Sequence, residues 1–402
     1  MNSLTWADLF SEPGRRMKAN TIREFLKFAN QPEMISFAGG LPAADLFPSV
    51  DWPAALQSIF RQTGSACLQY GESEGVYGLR EWIARRASAH GMPVRPDNVV
   101  ITTGSQQALD LTGKVLLNSG DIAAVENPTY LALLSSWRPI GTEFEGIPSD
   151  KDGMIVDDLA KLDPSPKVVY VTPNFQNPQG TTLSRQRRVQ LIDVAREKGI
   201  VVIEDDPYGE LRYSGEPLPS LLELDCQSSG QPELKGHTIQ IGTFSKILAP
   251  GFRVGWVLGP AEFIQKLVQA KQSSDLHTST LAQYLVLELV RSNLLASHIP
   301  LLCKAYAKRR DAMLVAMNRH FPKYVRWSVP EGGFLLLVHL PESCRARDLL
   351  PAALASNVIF VPGDDFYLDG QGQNTLRLNF SNATPQRIEI GIERLGRILS
   401  AQ

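Results

Sequence analysis

Two basic residues interrupt an otherwise apolar stretch, "GTFSKILAPGFRVGW", at residues 242–256. Lysine is one of the side chains least often buried without a partner, so Lys246 does not fit an ordinary strand core. A lysine amine can bond covalently to an aldehyde, and an arginine such as Arg253 can hold a phosphate through two parallel hydrogen bonds. Taken alone, a lysine extending its amine to solvent and an arginine in a structural ion pair remain the alternatives.

Polar groups also follow three other apolar runs, "NVVITTG", "KVVYVTPN" and "GIVVIEDDPY". After the first run, Ser105 and Gln106 open a helical pattern, where free backbone N–H groups and a positive dipole end form a cradle for phosphate. A simple N-cap is the alternative for Ser105. Asn177 follows the second run, and turn formation alone could explain it. Asp205 ends the third run, and a buried carboxylate there needs a cationic or hydrogen-bonding partner.

The elements that carry these residues alternate between short strands and helices. Ser184 as N-cap and Gly199 as C-cap delimit a predicted helix over 185–198, between two runs rich in valine and isoleucine. This rhythm predicts an α/β fold, with a large domain whose mostly parallel sheet is sandwiched by helices. Ligands of such sheets bind beyond the carboxyl ends of the strands, so we expect the polar groups to meet at one edge.

The pattern of predicted elements changes after a long helical region at 260–320. Later strand patterns, such as "WSVPEGGFLLLVHLP" and "NTLRLNFSNA", are separated by longer loops and a helix, which predicts a second, smaller α+β domain. We predict an N-terminal arm with a short helix at 1–38, a large cofactor-binding domain at 39–300 and a small C-terminal domain at 301–402. The arm is assigned to the small domain and to a lid over the substrate.

One ligand matches the polar groups that follow three of these strands. A phosphate is needed at 104–106, a cation opposite Asp205 and an electrophile for Lys246. Pyridoxal 5′-phosphate (PLP) supplies all three, because its aldehyde forms a Schiff base with lysine, its pyridinium nitrogen pairs with a carboxylate, and its phosphate suits a helix N-terminus and an arginine. Thr243 and Ser245 add hydroxyl donors near the same end.

Eight motifs, taken in order, resemble those of one enzyme family. They are "SFAGGLP", "QYGESEGVYGLREW", "TTGSQQALDL", "ENPTY", "PNFQNPQG", "EDDPYGEL", "GTFSKILAPGFRVGW" and "TLRLNFSNA". From about residue 15 to the end, the chain resembles the fold-type I, PLP-dependent aminotransferases of class I/II, and in particular 2-aminoadipate and kynurenine aminotransferases. The resemblance implies the fold of aspartate aminotransferase. Gln179 departs from the pattern, since the family usually has threonine after the Asn-Pro pair.

The resemblance implies a role at the cofactor for each matching residue. Lys246 resembles the Schiff-base lysine and proton shuttle, and Asp205 resembles the partner of the pyridine nitrogen. Tyr208 and Asn177 resemble the groups that hydrogen-bond the 3-oxygen, and Tyr130 resembles the ring stacked on the pyridine. The residues that resemble the phosphate site are Ser105, Gln106, Ser245 and Arg253.

Further matches concern the substrate and the assembly. Arg377, in "TLRLNF", resembles the arginine that clamps the substrate α-carboxylate with help from Asn177, although a charge on the solvent side of a strand fits the alternation equally well. Gly40 resembles the glycine whose backbone approaches the substrate. Arg23 resembles an arginine on an N-terminal helix that reaches acidic side chains, with a solvated basic residue as the alternative. Tyr70 resembles the tyrosine that reaches the neighbouring subunit's phosphate, which implies a homodimer with shared active sites.

The implied reaction is transamination between an L-amino acid and a 2-oxo acid, with ping-pong kinetics. We expect 2-oxoglutarate and glutamate as one pair, with 2-aminoadipate, aromatic or bulky apolar amino acids as candidate partners. One alternative is a PLP-dependent lyase or decarboxylase, which a carboxylate clamp at Arg377 argues against. The other is a non-catalytic regulatory domain, for which too few residues precede "SFAGGLP" to form a DNA-binding unit.

Composition narrows the choice of partners. The 402 residues include 40 Lys and Arg and 42 Asp and Glu, a net charge of −2 without blocks of one sign, so neither nucleic acid nor a membrane is expected as a partner. No run approaches the roughly 18 apolar residues of a membrane span, and no secretory signal is evident. Widely spaced cysteines without a CxxC pair predict no metal site and a cytoplasmic location.

Overall fold

The computed structural model of the protein describes residues 5–18, 33–229 and 233–401. The α-helices within these ranges are α1 (Trp6–Leu9), α2 (Glu12–Arg16), α3 (Trp52–Thr63), α4 (Tyr77–Ser88), α5 (Ser105–Leu116), α6 (Leu131–Trp137), α7 (Val156–Ala160), α8 (Arg185–Lys198), α9 (Leu221–Ser229), α10 (Ala261–Gln272), α11 (Thr280–Arg291), α12 (Leu294–His320), α13 (Leu350–Ala355) and α14 (Pro385–Ser400). The strands are β1 (Ile35–Ser36), β2 (Val99–Thr102), β3 (Ile122–Asn127), β4 (Glu143–Asp150), β5 (Gly153–Met154), β6 (Val168–Val171), β7 (Val201–Asp205), β8 (Thr238–Thr243), β9 (Gly255–Leu258), β10 (Arg326–Trp327), β11 (Leu335–His339), β12 (Val358–Ile359), β13 (Val361–Pro362) and β14 (Thr375–Asn379).

The large sheet is mixed but mostly parallel, as predicted. In the described part of the chain it has eight strands in the order β2-β9-β8-β7-β6-β3-β4-β5. The pairs β8-β7, β7-β6, β6-β3 and β3-β4 are parallel, whereas β9 is antiparallel to both β2 and β8. Every residue of β2 and β6 is buried, which explains why these strands read as continuous apolar runs rather than alternating ones.

The helix after β6 has the termini that the sequence predicts. The side chain of Ser184 accepts a hydrogen bond from the backbone N–H of Arg187, at 3.4 Å. At the other end, Gly199 takes the left-handed conformation with φ 69°, where glycine avoids the steric cost of a side chain. Both caps satisfy backbone groups that α8 cannot pair internally.

A second, antiparallel sheet is formed by the C-terminal part of the chain, in the order β10-β11-β14-β13. β1 pairs in parallel with β12, so Ile35 and Val358 lie side by side. The sequence boundary that we predict after residue 300 falls within α12, a continuous helix. The three segments 1–38, 39–300 and 301–402 therefore stay a prediction.

No single helix in the described ranges is both long and apolar enough to cross a bilayer. By length and composition, α11 and α12 satisfy this requirement only as a pair, and they meet at a bend of 86°. The buried residues of α12 include Leu302, Tyr306 and Met313, which pack into the protein interior.

Candidate functional site

The strand ends that the sequence analysis singled out lie at one edge of the large sheet. β3, β6, β7 and β8 run in one direction, and β2 shares it because β9 is antiparallel to both β2 and β8. Their carboxyl ends therefore face the same side, where ligands of such sheets bind. The predicted site residues at or shortly after these ends are Ser105, Gln106, Tyr130, Asn177, Asp205, Tyr208, Thr243, Ser245 and Lys246.

Lys246 lies three residues beyond β8, with its amine directed into the site. Its Nζ donates a hydrogen bond to the carbonyl oxygen of Gly40 at 3.0 Å. The same atom is 5.9 Å from the ring centroid of Tyr208 and 5.8 Å from that of Phe334. Burial, together with the positive charges of Arg253 and Arg377, lowers the pKa of this amine to about 8.

Asp205 ends β7 and is only 3% exposed. The hydroxyl of Tyr170 donates to its Oδ2 at 2.7 Å, while its Oδ1 has no hydrogen-bond partner among the described residues. Burial raises the pKa of this carboxyl group to about 7. Asp206 differs, because its oxygens accept hydrogen bonds from Asn174 Nδ2 at 2.9 Å and from the Gly209 backbone at 2.7 Å. Of the two adjacent aspartates, Asp205 is the one available to a ligand.

The turn between β2 and α5 is built around a close approach to Arg253. Gly104, with φ 75°, is the N-cap of α5, and the helix begins at Ser105. A Cβ atom on Gly104 would stand 2.2 Å from Nη2 of Arg253, so glycine leaves room for the guanidinium. Arg253 in turn donates to the carbonyl oxygens of Thr103 at 3.2 Å and Pro250 at 3.3 Å.

The side chains of two other residues predicted at the phosphate site already make hydrogen bonds within the protein. The hydroxyl of Thr243 donates to Ser245 Oγ at 2.9 Å, and it also contacts the carbonyl oxygen of Val254 at 3.3 Å. The side-chain amide of Gln106 donates to Ser136 Oγ at 2.7 Å, away from the turn. For Gln106, only the backbone N–H is therefore left to face a phosphate.

Arg377 is buried on β14, with 1% of its surface exposed. Its Nη1 donates to Asn177 Oδ1 at 2.8 Å and its Nη2 to the carbonyl oxygen of Ala38 at 2.6 Å, whereas Nε has no partner among the described residues. The ring of Phe366 lies 5.0 Å from the guanidinium, and burial lowers the pKa of Arg377 to about 10. The alternative of a solvent-facing charge is wrong, because β14 is covered on both faces.

Comparison with known proteins assigns the chain to a family. The model of the aminotransferase class I and II family matches residues 32–395. Aromatic-amino-acid aminotransferase 1 of Thermococcus litoralis is 40% identical over 411 aligned residues, covering 100% of this chain and 96% of the relative. The 2-aminoadipate transaminase of Thermus thermophilus is 41% identical over 401 residues, covering 99% of this chain and 98% of the relative.

This chain belongs to the class I and II aminotransferases.

A solved structure extends this likeness to three dimensions and to the cofactor. The α-aminoadipate aminotransferase of Thermus thermophilus, in complex with N-(5′-phosphopyridoxyl)-L-leucine, has a TM-score of 0.91 and 40% identity, and the match covers 99% of each chain. The aminotransferase is thus a PLP-dependent transferase that acts on amino acids and 2-oxo acids, on the predicted fold. These matches do not favour the lyase and regulatory alternatives.

Features of the site itself fit pyridoxal phosphate. Oδ1 of Asp205, which has no partner in the described part of the chain, is a buried acceptor suited to a protonated pyridine nitrogen. The N-terminus of α5, with Gly104 at its cap and Arg253 beside it, suits a phosphate. Lys246 follows β8, which is the neighbour of the strand β7 that ends in Asp205. Its amine is therefore suited to a bond with the aldehyde.

The remaining predicted residues of the aminotransferase differ in their surroundings. Tyr130 is the N-cap of α6, and burial raises the pKa of its hydroxyl to about 12. Tyr208 is 4% exposed, its ring packs against Phe334 at 5.4 Å, and burial raises its pKa. Tyr70 is 78% exposed. Arg23 lies outside the described residues.

Sequence reasoning missed two buried polar residues of the aminotransferase, one on β6 and one on β3. Tyr170 is fully buried on β6 and provides the one hydrogen bond that Asp205 accepts from a described side chain. Glu126, the fifth residue of β3, accepts a hydrogen bond from the backbone of Thr172 at 2.9 Å, and burial raises its pKa to about 8. A polar residue inside each apolar run, "VVYV" and "AAVEN", was the available signal.

Proposed function

We propose that the residues at this sheet edge carry out the transamination. Pyridoxal phosphate, when bound, supplies an electron sink for the charge that develops at the substrate Cα. Lys246 would hold the cofactor through its amine, and the freed amine would move the proton at the substrate Cα, first as base and then as acid. A pKa of about 8 favours both roles, because protonated and neutral amine are then both accessible near neutral pH.

Each remaining site residue has a binding or orienting role in this proposal. Asp205 holds the positive charge of the pyridine nitrogen through Oδ1. Tyr208 and Asn177 hydrogen-bond the 3-oxygen, and Tyr130 covers the ring. The groups that hold the phosphate are the backbone N–H groups of Ser105 and Gln106, the hydroxyl of Ser245, supported by Thr243, and the guanidinium of Arg253.

The observation that carries the proposal is the buried guanidinium of Arg377. A buried cation without an anionic partner is costly, and among the described residues Arg377 has only neutral oxygens as hydrogen-bond partners, with Nε unpaired. A substrate α-carboxylate supplies the missing anion, with Asn177 beside it. The surroundings of Gly40 are open, and a Cβ atom there would make only an ordinary contact, 4.0 Å from the Tyr208 hydroxyl. Holding the carboxylate in this way favours loss of the Cα proton over loss of carbon dioxide.

For the substrates, we propose glutamate and 2-oxoglutarate as one pair. The second pair is 2-aminoadipate or an aromatic or bulky apolar amino acid with its 2-oxo acid. The names of two relatives support this choice, since one is an aromatic-amino-acid aminotransferase and the other a 2-aminoadipate transaminase. Incubating the yellow holoenzyme with single amino acids tests it, because true donors bleach the absorbance of the lysine-bound cofactor. If glutamate and all of these donors leave the spectrum unchanged, the substrate proposal fails.

The role of Arg23 in reading acidic side chains is part of this proposal. A charge-assisted hydrogen bond contributes about 1.5–3 kcal/mol, so Arg23→Ala is expected to raise the KM for 2-oxoglutarate roughly 10- to 150-fold. The KM for 4-methyl-2-oxopentanoate, which has an apolar side chain, stays nearly unchanged. The exposed Lys18 provides a matched control, as Lys18→Ala removes a charge that is five residues away in the sequence. Equal losses for both 2-oxo acids would remove Arg23 from the account of specificity.

We further propose a homodimer with shared active sites in the cytoplasm. The support within the chain is Tyr70, whose side chain is 78% exposed and whose ring meets His277 edge-on at 5.8 Å. Leu68 and Tyr77, also exposed, flank it in sequence. Mixing Lys246→Ala with Tyr70→Ala subunits creates dimers in which one site regains both intact residues. Recovery of PLP affinity and activity in the mixture supports shared sites, and no recovery in confirmed mixed dimers contradicts them.

A further inference from the structure

A buried lysine lies directly behind the turn that leads into α5. Lys271, on α10, has no exposed surface, and its Nζ donates to Gln107 Oε1 at 2.7 Å and to both carboxylate oxygens of Asp275 at 2.8 and 3.0 Å. Among the described residues, the hydrogen-bond partners of this amine are Gln107 and Asp275, and neither is one of the site residues described above. Burial lowers its pKa, and the contact with Asp275 opposes that effect.

The partners of Lys271 hold the turn at Thr103 from both its backbone and its side chain. Gln107 Oε1, the same atom that Lys271 contacts, accepts a hydrogen bond from the Thr103 backbone N–H at 2.8 Å. Asp275 Oδ2 accepts a hydrogen bond from the Thr103 hydroxyl at 2.8 Å. The carbonyl oxygen of Thr103 accepts from Arg253 on the opposite side. Thr103 is thus fixed through its N–H, its hydroxyl and its carbonyl group.

The position of Thr103 sets the direction of the groups offered to a phosphate. The next residue is Gly104, and the N–H groups of Ser105 and Gln106 follow at the helix N-terminus. Binding groups of this kind must be held within about 0.5 Å of the productive geometry by residues that are themselves locked. The ammonium of Lys271 and the carboxylate of Asp275 cancel in charge, so their effect on a phosphate comes through geometry rather than through a net field.

Stability alone is a weak reason for a buried ammonium at this place. The side chain of Lys271 has no exposed surface, whereas that of its partner Asp275 is 29% exposed. Taking the lysine charge out of water costs several kcal/mol, and apolar side chains of similar size often stabilise a protein equally well. We propose that Lys271 is a positioning residue, which orients the Thr103–Gln106 turn for the phosphate of pyridoxal phosphate through Gln107 and Asp275. This inference rests on the proposed phosphate site at Ser105, Gln106 and Arg253.

The test compares two aldehydes that differ only in the phosphate. The full-length protein is freed of cofactor, and the dissociation constants of pyridoxal phosphate and of pyridoxal are measured by fluorescence titration. Both aldehydes bond to Lys246, so the ratio of their dissociation constants isolates the phosphate contribution. Lys271→Met is expected to weaken pyridoxal phosphate roughly 10- to 100-fold while pyridoxal stays within about threefold. Lys266→Met, on the exposed side of the same helix, is the matched control and leaves both constants unchanged.

Two additional variants keep the outcomes distinct. At nearly constant volume, Thr103→Val removes the hydroxyl that donates to Asp275 and also lies 3.1 Å from the Thr278 hydroxyl. It shows the same selective loss even if Lys271→Met does not fold. Arg253→Met reports on the phosphate site itself.

A selective loss in Arg253→Met, with none in Lys271→Met and Thr103→Val, overturns the role of Lys271 and leaves the proposed site standing. Equal loss of both aldehydes in Lys271→Met reveals a merely structural role. If Arg253→Met also lacks a selective loss, the phosphate site and this inference both fail.

Discussion

At the scale of single residues, the site is defined by two buried groups with open hydrogen-bonding positions. Asp205 Oδ1 and Arg377 Nε lack partners among the described residues, and both lie where a ligand of opposite charge would complete them. Asp205 and Lys246 could be found from sequence because each breaks an apolar run. The burial of Arg377 could not be found from sequence, because the alternation L-R-L also fits a strand that has one face in solvent.

Tyr170 lowers the pKa of Asp205, and this effect gives a prediction at the residue scale. Its hydrogen bond favours the ionised carboxylate and opposes the effect of burial on the pKa of Asp205. Tyr170→Phe is expected to raise that pKa further, so the acidic limb of the pH–kcat profile moves to higher pH. The loss of a hydrogen bond to a charged group also lowers kcat by roughly 10-fold or more.

The control for this variant is Tyr324→Phe, which removes a tyrosine hydroxyl that donates to the Leu399 carbonyl oxygen at 2.7 Å, on α14. Both variants are compared by steady-state kinetics across pH and by the absorbance of the bound cofactor. An unshifted acidic limb in Tyr170→Phe, with normal cofactor absorbance, would mean that Tyr170 only fills space.

At the scale of elements, a helix or strand could be predicted from sequence when its own residues mark its ends and its pattern. α8 has a serine cap, a glycine cap and an intervening helical pattern, and the sequence predicts its bounds, Arg185–Lys198. β4 was missed, because "EFEGIPSD" is polar and half-exposed near the edge of the sheet. The antiparallel direction of β9 was also missed, since an apolar run has the same composition in either direction.

The packing of β9 against the α5 turn gives a prediction at this scale. A Cβ atom on Gly255 would lie 2.9 Å from the Gly104 carbonyl carbon, the Gly242 carbonyl oxygen and the Ser105 nitrogen, all of them backbone atoms that cannot move independently. Gly255→Ala is expected to cost about 1–3 kcal/mol of unfolding free energy and to weaken PLP binding. Gly251→Ala is the control in thermal denaturation and PLP titration, because a Cβ atom there would have no described atom within 4 Å beyond its chain neighbours. Equal melting temperatures for the two variants would contradict the close approach.

At the scale of the whole molecule, the parts most distant in sequence were the least predictable. The pairing of β1 with β12 joins Ile35 to Val358, and nothing local in either two-residue strand specifies the other. The large sheet was predictable in class because strands and helices alternate, but its strand order follows from long-range packing. Arg377 and Asn177, 200 residues apart, meet for the same reason.

Buried carboxyl groups give the cofactor-free protein a distinctive pH dependence. Burial raises the pKa of Glu126 to about 8 and the pKa values of Glu204 and Asp205 to about 7. In the unfolded chain these groups ionise near pH ~4, so unfolding releases their protons and the free energy of unfolding falls as the pH rises from about 5 to 8. His298 and His339, whose pKa values burial lowers from 6.5, act in the opposite direction below pH ~6.5, because the unfolded chain binds protons there that the folded protein does not.

Glu126→Gln isolates one of these contributions, because glutamine can still accept the hydrogen bond from Thr172. Subtracting the variant's unfolding free energy from that of the parent protein cancels the histidines. This difference is expected to fall by about 1.4 kcal/mol per pH unit between pH ~5 and ~7 in urea titrations. Glu143→Gln, at an exposed position, serves as the control with a flat difference. A flat difference for Glu126→Gln as well would show that this carboxyl group is ionised in the folded protein.

The central claim is that the cofactor is bound where Asp205, Arg253 and Arg377 surround Lys246. Borohydride reduction of the holoenzyme fixes the cofactor to the lysine that carries it, and mass spectrometry of the peptides then locates the phosphopyridoxyl group. The account predicts one modified peptide per chain, with the group on Lys246, and none in Lys246→Ala. Modification of a different lysine in the active holoenzyme, such as Lys271, would contradict it.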